Sequence, residues 1–172
     1  MDAPTSLFAD AELLRRAHAL VATCAGLGLK IATAESCTGG LLAGLLTEVP
    51  GSSAVLDRGF VTYSNDAKRD MLGVDPELLS LYGAVSAPVA RAMAEGAIVH
   101  SRAAIAVSVT GVAGPGGGSL EKPVGLVHFA RCERDGHTVL REMRFGDIGR
   151  ASVRRAALGV ALELLEARAT GV

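Results

Sequence analysis

Residues 34–40 read AESCTGG, and this stretch does most to decide the fold. It follows an apolar run typical of a strand, residues 30–34, and precedes a run typical of a helix, residues 41–47. Glycines at such a corner let a ligand approach the backbone, and the free N–H groups at a helix start suit a bound phosphate. Ligands of α/β proteins usually sit at strand-to-helix corners. The stretch therefore predicts an α/β protein that binds an anionic small molecule.

Length and charge narrow the class of protein. The 172 residues fit a single domain with a sizeable core. Charged residues interrupt every apolar window before it reaches membrane-spanning length, and residues 1–10 lack the basic and apolar regions of a signal peptide. A net charge of −1 gives no electrostatic footprint for nucleic acid. We therefore expect a cytoplasmic protein that binds neither membrane nor nucleic acid directly, with residues 1–9 as a loose N-terminal extension.

The cysteines and histidines do not show the spacing of a metal site. Cys24, Cys37 and Cys132 are an odd number of thiols, which fits a reducing compartment better than a disulfide framework. Neither H-E-x-x-H nor C-x-x-C occurs in the sequence. Cys24 falls on the apolar face of a predicted helix. We predict no metal and no cofactor.

The order of the predicted elements gives one three-layer α/β/α domain with a mixed β-sheet. Asp10 and Ser86 are predicted helix N-caps, and Asp75-Pro76 is typical of another helix start. Asn65 is predicted to cap a short helix that contains Lys68. The predicted strands are residues 30–34, 59–63, 103–110, 124–132 and 138–145, with a helical turn at 53–56 and a final helix at 149–169.

The residues of the 34–40 stretch have structural as well as chemical interpretations. Ser36 or Thr38 could simply cap the following helix. Ser36 does not lie in G-x-S-x-G, since Ala34 occupies the first glycine position, so a nucleophile elbow is not supported. Cys37 is expected to be a buried thiol rather than a reactive one, because no histidine lies near it in the sequence.

Two further segments carry residues suited to chemistry. Residues 110–115 read TGVAGP directly after an apolar strand, and their glycines can form an anion-binding nest. Tyr63 ends a strand, and Lys68 lies about one turn into the next helix. A lysine beside an apolar wall can lose its proton and act as a general base. Ser53 is the hydroxyl that we expect Lys68 to activate, with Ser36 as the alternative.

The predicted final helix begins with an unusual group of cations. Arg150 and Arg154 share one face at a spacing of four residues, where they oppose the helix dipole. A bound phosphate would offset that placement. The alternative is that both arginines are surface side chains solvated by water and bind no phosphate.

Several motifs in one order resemble the CinA C-terminal domain family, from about residue 10 to the C-terminus. They are AESCTGG at 34–40, PGSS at 50–53, VTYSN at 61–65 with Lys68, GAVS at 83–86, TGVAGP at 110–115 and KPVG at 122–125. The resemblance implies a nicotinamide-nucleotide amidase, which hydrolyses the carboxamide of nicotinamide mononucleotide to the acid and ammonia. It also implies a homodimer. A non-catalytic nucleotide-binding or interaction module, linked to competence or DNA damage and beside a recombination protein, is the rival interpretation.

The resemblance also implies roles for individual residues. Ser53 would be the nucleophile, with Lys68 and Tyr63 assisting proton transfer. The family often shows Gly-Asp-Arg before the last helix, whereas here Ile148 and Gly149 intervene before Arg150, so Arg150 and Arg154 are both candidates for the phosphate contact. The remaining substrate-binding residues would be Ser36, Thr38, Gly39, Thr110, Gly111, Ala113 and Gly114.

Overall fold

A computed structural model describes residues 10–171 and shows a five-stranded sheet between two layers of helices. The loose extension expected at residues 1–9 lies outside the described residues. The helices are α1 (Ala11–Leu27), α2 (Leu41–Thr47), α3 (Asn65–Leu72), α4 (Pro76–Tyr82), α5 (Ala87–Val99) and α6 (Arg150–Ala169). The strands are β1 (Ile31–Glu35), β2 (Leu56–Val61), β3 (Ile105–Gly111), β4 (Leu126–Glu133) and β5 (Thr138–Arg144).

The sheet is mixed, as predicted, in the order β2-β1-β3-β4-β5. Strand β1 runs parallel to both β2 and β3, whereas β4 and β5 complete the sheet as an antiparallel hairpin. The three parallel strands therefore end at one edge, at Glu35, Val61 and Gly111. We call this the carboxyl edge, and the opposite one the amino edge.

An apolar cluster covers each face of the sheet. Alternate residues of β1 point to opposite faces, so Ile31 packs with α1, α2 and α6 while Ala32 packs with α3 and α5. Strand β3 is buried along nearly its whole length, as its apolar β-branched sequence predicts. These two clusters confirm the α/β fold.

Most helix starts follow the sequence signals. Asp10 accepts from the N–H groups of Glu12 and Leu13, and Asp75 and Ser86 cap α4 and α5 as predicted. The prediction for α3 was wrong by one residue, because Ser64 rather than Asn65 supplies the cap.

The region before α3 differs more from the prediction. Strand β2 begins three residues earlier and ends two residues earlier than the predicted strand 59–63. The expected helical turn is a single 3₁₀ turn, Ser52–Ala54. Pairing with β1 sets these bounds, since Ile31 stands opposite Leu56 and Glu35 stands opposite Val61.

No helix within residues 10–171 has both the length and the apolar character needed to cross a membrane.

Candidate active site

A serine and a lysine meet at the carboxyl edge. Ser36 follows the last residue of β1, and Lys68 lies on α3, which follows β2. Lys68 Nζ donates to Ser36 Oγ at 3.1 Å and to the carbonyl oxygen of Thr62 at 2.8 Å. Ser36 is only partly buried, so part of the residue is accessible to solvent. The pair joins a hydroxyl to a basic side chain without a histidine.

The surroundings of Lys68 favour its neutral form. The side chain is 1% exposed, and burial lowers its pKa below the ordinary value of 10.5. In the described part of the chain, no carboxylate forms an ion pair with Lys68 that would stabilise its protonated form. A buried amine with a lowered pKa can accept a proton from the neighbouring hydroxyl.

The structure does not bring Ser53 and Lys68 together. Ser53 is exposed in the 3₁₀ turn that precedes β2, at the amino edge, whereas Lys68 follows β2 at the carboxyl edge. The six residues of β2 separate the two positions by about 20 Å at ~3.3 Å per residue. The hydroxyl that contacts Lys68 is that of Ser36. The parallel order of the strands could have identified Ser36 from the sequence. Residues that follow β1 and β2 must lie at the same edge of the sheet, whereas a residue that precedes β2 lies at the opposite edge.

Glu35 fills the helix start that we expected to hold an anion. Its carboxylate accepts from the backbone N–H groups of Gly40, Leu42 and Ala43, at 3.1, 3.0 and 2.9 Å. The expectation of free donors at the start of α2 was therefore wrong, because the chain supplies its own carboxylate. Neither Ser36 nor Thr38 caps this helix. The N-cap residue is Gly40, which has no side chain that could accept a hydrogen bond.

The glycine-rich segment after β3 forms another wall of the site. Thr110 is fully buried and donates its hydroxyl to the carbonyl oxygen of Ala84 at 2.8 Å, while Ala113 and Gly114 are also buried. Gly111 lies against β4, since an added Cβ would come within 2.8 Å of the carbonyl oxygen of Leu126. These predicted substrate-binding residues therefore share the carboxyl edge with Ser36.

Arg150 links the start of α6 to the glycine-rich segment and to Tyr63. Its guanidinium donates to the carbonyl oxygen of Gly114 at 3.0 Å and to the Tyr63 hydroxyl at 3.1 Å. Tyr63 is 61% exposed and stands at the rim. The only side-chain bond described for its hydroxyl is the one with Arg150, so the structure does not place Tyr63 on the Ser36–Lys68 pair.

Arg154 holds α6 against the turn that follows Ser36. It donates to the carbonyl oxygen of Thr38 at 3.1 Å, and its own Nε and the Thr38 hydroxyl are buried without a described partner. A groove of about 830 Å³ runs along Gly39 and Arg154 between α1, α2 and α6. Neither Ser36 nor Lys68 lines that groove, so the reactive pair lies outside it.

Burial disfavours the thiolate form of Cys37, the residue after Ser36. Cys37 is buried, and burial raises the pKa of its thiol to about 11. Cys24 is buried in the core, as predicted. Among residues 10–171, no group of histidine, cysteine, aspartate and glutamate side chains is arranged to hold a metal ion.

Comparison with known proteins finds the same family that the sequence motifs resemble. The CinA C-terminal domain model matches residues 14–169. The nicotinamide-nucleotide amidohydrolase PncC of Escherichia coli K12 is 48% identical over 157 residues, which cover 91% of this chain and 94% of that protein. A CinA-like protein of Anaeromyxobacter dehalogenans is 56% identical over 147 residues, covering 85% of this chain and 35% of that protein. The chain thus spans about a third of the length of several CinA-like relatives that it matches.

A solved structure confirms the fold. The competence/damage inducible protein CihA from Agrobacterium tumefaciens superposes with a TM-score of 0.93 at 58% identity, over 95% of this chain and 98% of that one. With the family model covering residues 14–169, the chain belongs to the CinA C-terminal domain family.

Proposed function

We propose that this protein is a nicotinamide-nucleotide amidohydrolase in which Ser36 is the nucleophile and Lys68 its general base. The observation that carries the proposal is the 3.1 Å contact between Lys68 Nζ and Ser36 Oγ, with the lysine buried and its pKa lowered. The similarity to PncC over nearly the full length of both chains supports the substrate class. This proposal replaces Ser53 with Ser36 as the nucleophile.

In the first half of the reaction, neutral Lys68 takes the proton of the Ser36 hydroxyl as Oγ attacks the carboxamide carbon. The Gly39 N–H donates to the Ser36 carbonyl oxygen, and the Gly40 N–H donates to Glu35. The Thr38 N–H has no backbone acceptor described in this turn, and we assign it to the oxyanion. Lys68 then returns its proton to the amide nitrogen. The C–N bond breaks, and ammonia leaves an ester on Ser36.

In the second half, water replaces ammonia. Lys68 accepts a proton from the attacking water, the new tetrahedral species collapses, and the Ser36–carbonyl bond breaks. The Ser36 oxygen recovers its proton from Lys68. The sum is amide plus water giving acid plus ammonia, with no metal or redox step required.

The cations of α6 suit the phosphate of a mononucleotide. Arg150 is exposed at the first position of α6, and Arg154 lies one turn further on the same side. The uncapped N-terminus of α6 adds backbone N–H groups and the positive end of its dipole. Arg150 is bound to the Gly114 carbonyl and Arg154 to the Thr38 carbonyl, so both are held at the carboxyl edge rather than free in solvent.

Tyr63 belongs to the same proposal as a rim residue. Its hydroxyl is bound to Arg150, so we assign it to orienting the phosphate-binding cation and the substrate rather than to direct proton transfer. Homodimer formation, which rests on the family resemblance, and a cytoplasmic location, which rests on the odd number of cysteines, complete the proposal.

The test is incubation of the purified protein with nicotinamide mononucleotide, measuring ammonia and the acid product together. Equal amounts of both products are expected from the wild type, and none above background from Lys68→Met with the fold intact. Full activity of Lys68→Met would contradict the mechanism. No turnover by the wild type would favour the nucleotide-binding or interaction module instead.

A further inference from the structure

Glu35 is a fully buried carboxylate next to the proposed nucleophile, and the mechanism above does not use it. Its exposed fraction is 0%. Its carboxylate accepts from neutral donors, namely the N–H groups of Gly40, Leu42 and Ala43 and the Thr33 hydroxyl at 3.2 Å. Within residues 10–171 it forms no ion pair. A buried charge held only by neutral donors costs free energy unless those donors are fixed in place.

Glu35 and Ser36 point to opposite faces of the sheet. Ile31, Thr33 and Glu35 alternate with Ala32 and Ala34 along β1, so the Glu35 side chain lies on the α2 face. Ser36 continues the alternation and meets Lys68 of α3 on the other face. The carboxylate therefore holds the helix that leaves the turn without touching the reacting groups.

The backbone around Ser36 is fixed at two points. Its N–H donates to the carbonyl oxygen of Val109 in β3 at 2.9 Å, which holds the incoming strand. The outgoing turn returns to α2, whose first donors are bound by Glu35. The carbonyl oxygen of Glu35 also accepts from the Thr62 N–H at 2.8 Å, and the Thr62 carbonyl oxygen accepts from Lys68. Glu35 is thus bonded both to the turn and to the residue that anchors the base.

We propose that Glu35 is a positioning residue, whose buried carboxylate holds the 36–40 turn so that Ser36 Oγ stays in reach of Lys68. This inference rests on the proposed function. It adds a positioning role for a residue that takes no part in the proton transfers. A carboxylate can accept on both oxygens at once, and the three N–H donors require that. An amide of the same shape presents an NH₂ group to at least one donor and cannot hold all three.

The test compares Glu35→Gln with wild type by two independent readouts. Hydrogen exchange at Gly40, Leu42 and Ala43 should be at least about tenfold faster in the variant, because a lost cap opens the first turn. With nicotinamide mononucleotide, kcat should fall at least about tenfold while KM changes less than about twofold, since Arg150, the exposed candidate for the phosphate contact, is bonded to Gly114 and Tyr63 rather than to this turn. The pH at which kcat reaches half its plateau should be the same in the variant as in the wild type. That pH reflects the pKa of Lys68, which the burial of Lys68 lowers.

Leu46→Ala is the matched control. Leu46 is fully buried in the last turn of α2, at the end of the helix away from the turn that carries Ser36. It should lower stability while leaving kcat near wild type below the unfolding temperature. If Glu35→Gln loses no more kcat than Leu46→Ala, Glu35 is merely structural and the inference is overturned.

Thr33→Val keeps the inference testable if Glu35→Gln does not fold. It removes one hydrogen bond to the carboxylate and keeps the β-branched shape. A severalfold loss of kcat with unchanged KM is expected, and a wild-type kcat overturns the inference. A wild-type protein that never hydrolyses the substrate would instead refute the proposed function, while the exchange readout would still report whether Glu35 holds the turn.

Discussion

Lys68 is a long basic side chain placed where water hardly reaches it. Its exposed fraction is 1%, and its contacts are the Ser36 hydroxyl and the Thr62 carbonyl oxygen rather than a carboxylate. Without an anionic partner, burial favours the uncharged amine and lowers the pKa. The same desolvation that makes Lys68 a base also makes it costly to bury when protonated. Lys68 should therefore affect both the pH dependence of the reaction and the pH dependence of stability.

The first concerns the pH dependence of the reaction. Because the neutral amine is the active form, kcat/KM should rise with pH and level off above the pKa of Lys68, which lies below the ordinary 10.5. A rate profile measured from about pH 5 to about pH 10 checks this. A profile that is flat over the whole interval, or that falls throughout, would contradict the role of Lys68.

The second concerns stability. The unfolded chain binds the Lys68 proton more tightly than the folded one, so folding gains free energy as pH rises from the folded pKa towards 10.5. Relative to Lys68→Met, the wild type should gain up to about 1.4 kcal/mol per pH unit in that window, and nothing below it. Denaturant unfolding of both proteins at several pH values measures the difference. A difference that does not change with pH, or shrinks, would show that Lys68 is not desolvated.

At the scale of the elements, the close approach of α3 and α5 places Lys68. A Cβ added to Gly96 of α5 would lie 2.0 Å from the carbonyl oxygen of Leu72 at the end of α3. Backbone atoms cannot move aside as a flexible side chain can, so only glycine allows this spacing. The helix that carries the base is therefore held close to α5 at a spacing that only glycine at position 96 allows.

Gly96→Ala should destabilise the fold by about 2–3 kcal/mol and lower kcat, because α3 must shift away from Ser36. Gly26→Ala is the control, since its Cβ would meet nothing within 4 Å on the exposed side of α1. That change should be neutral or stabilising by about 0.5 kcal/mol. Thermal unfolding and kcat are measured for both variants. A Gly96→Ala protein as stable and active as the wild type would show that the contact between α3 and α5 does not position Lys68.

The elements also show what the sequence could predict. Capping residues such as Asp10 and Ser86 act through bonds to their own neighbours, so a local pattern was enough to find them. The choice between Ser36 and Ser53 depends on which edge of the sheet each one occupies, which pairing with β1 decides. Glu35 looked like part of a ligand-binding turn, because no pattern of residues reveals that a side chain will satisfy donors five to eight positions ahead.

At the scale of the whole molecule, α6 closes the site from the far end of the chain. Arg150 bonds to the glycine-rich segment and to Tyr63, and Arg154 bonds to the turn after β1. Three parts of the chain that are remote in sequence thus meet around two cations. A negatively charged substrate would be held between these cations and the Ser36–Lys68 pair.

Replacing Arg150 tests whether that cation binds phosphate. Arg150→Ala should lower kcat/KM for nicotinamide mononucleotide by about 10-fold to 100-fold, mainly through KM, because a charge-assisted contact to phosphate is lost. Nicotinamide riboside lacks the phosphate, so its slower hydrolysis should change by less than about threefold in the same variant. Arg154→Ala is compared in the same way. Equal losses for the two substrates would show that the arginine supports the structure only.

The measurement that tests the central claim most directly is kcat/KM of Ser36→Ala beside Ser53→Ala, with nicotinamide mononucleotide as substrate. Ser36 contacts the base at the carboxyl edge, and Ser53 is an exposed serine at the amino edge. Ser36→Ala should lose at least about 1,000-fold while Ser53→Ala stays within about twofold of wild type. An active Ser36→Ala protein, or an inactive and folded Ser53→Ala protein, would contradict the assignment of the nucleophile.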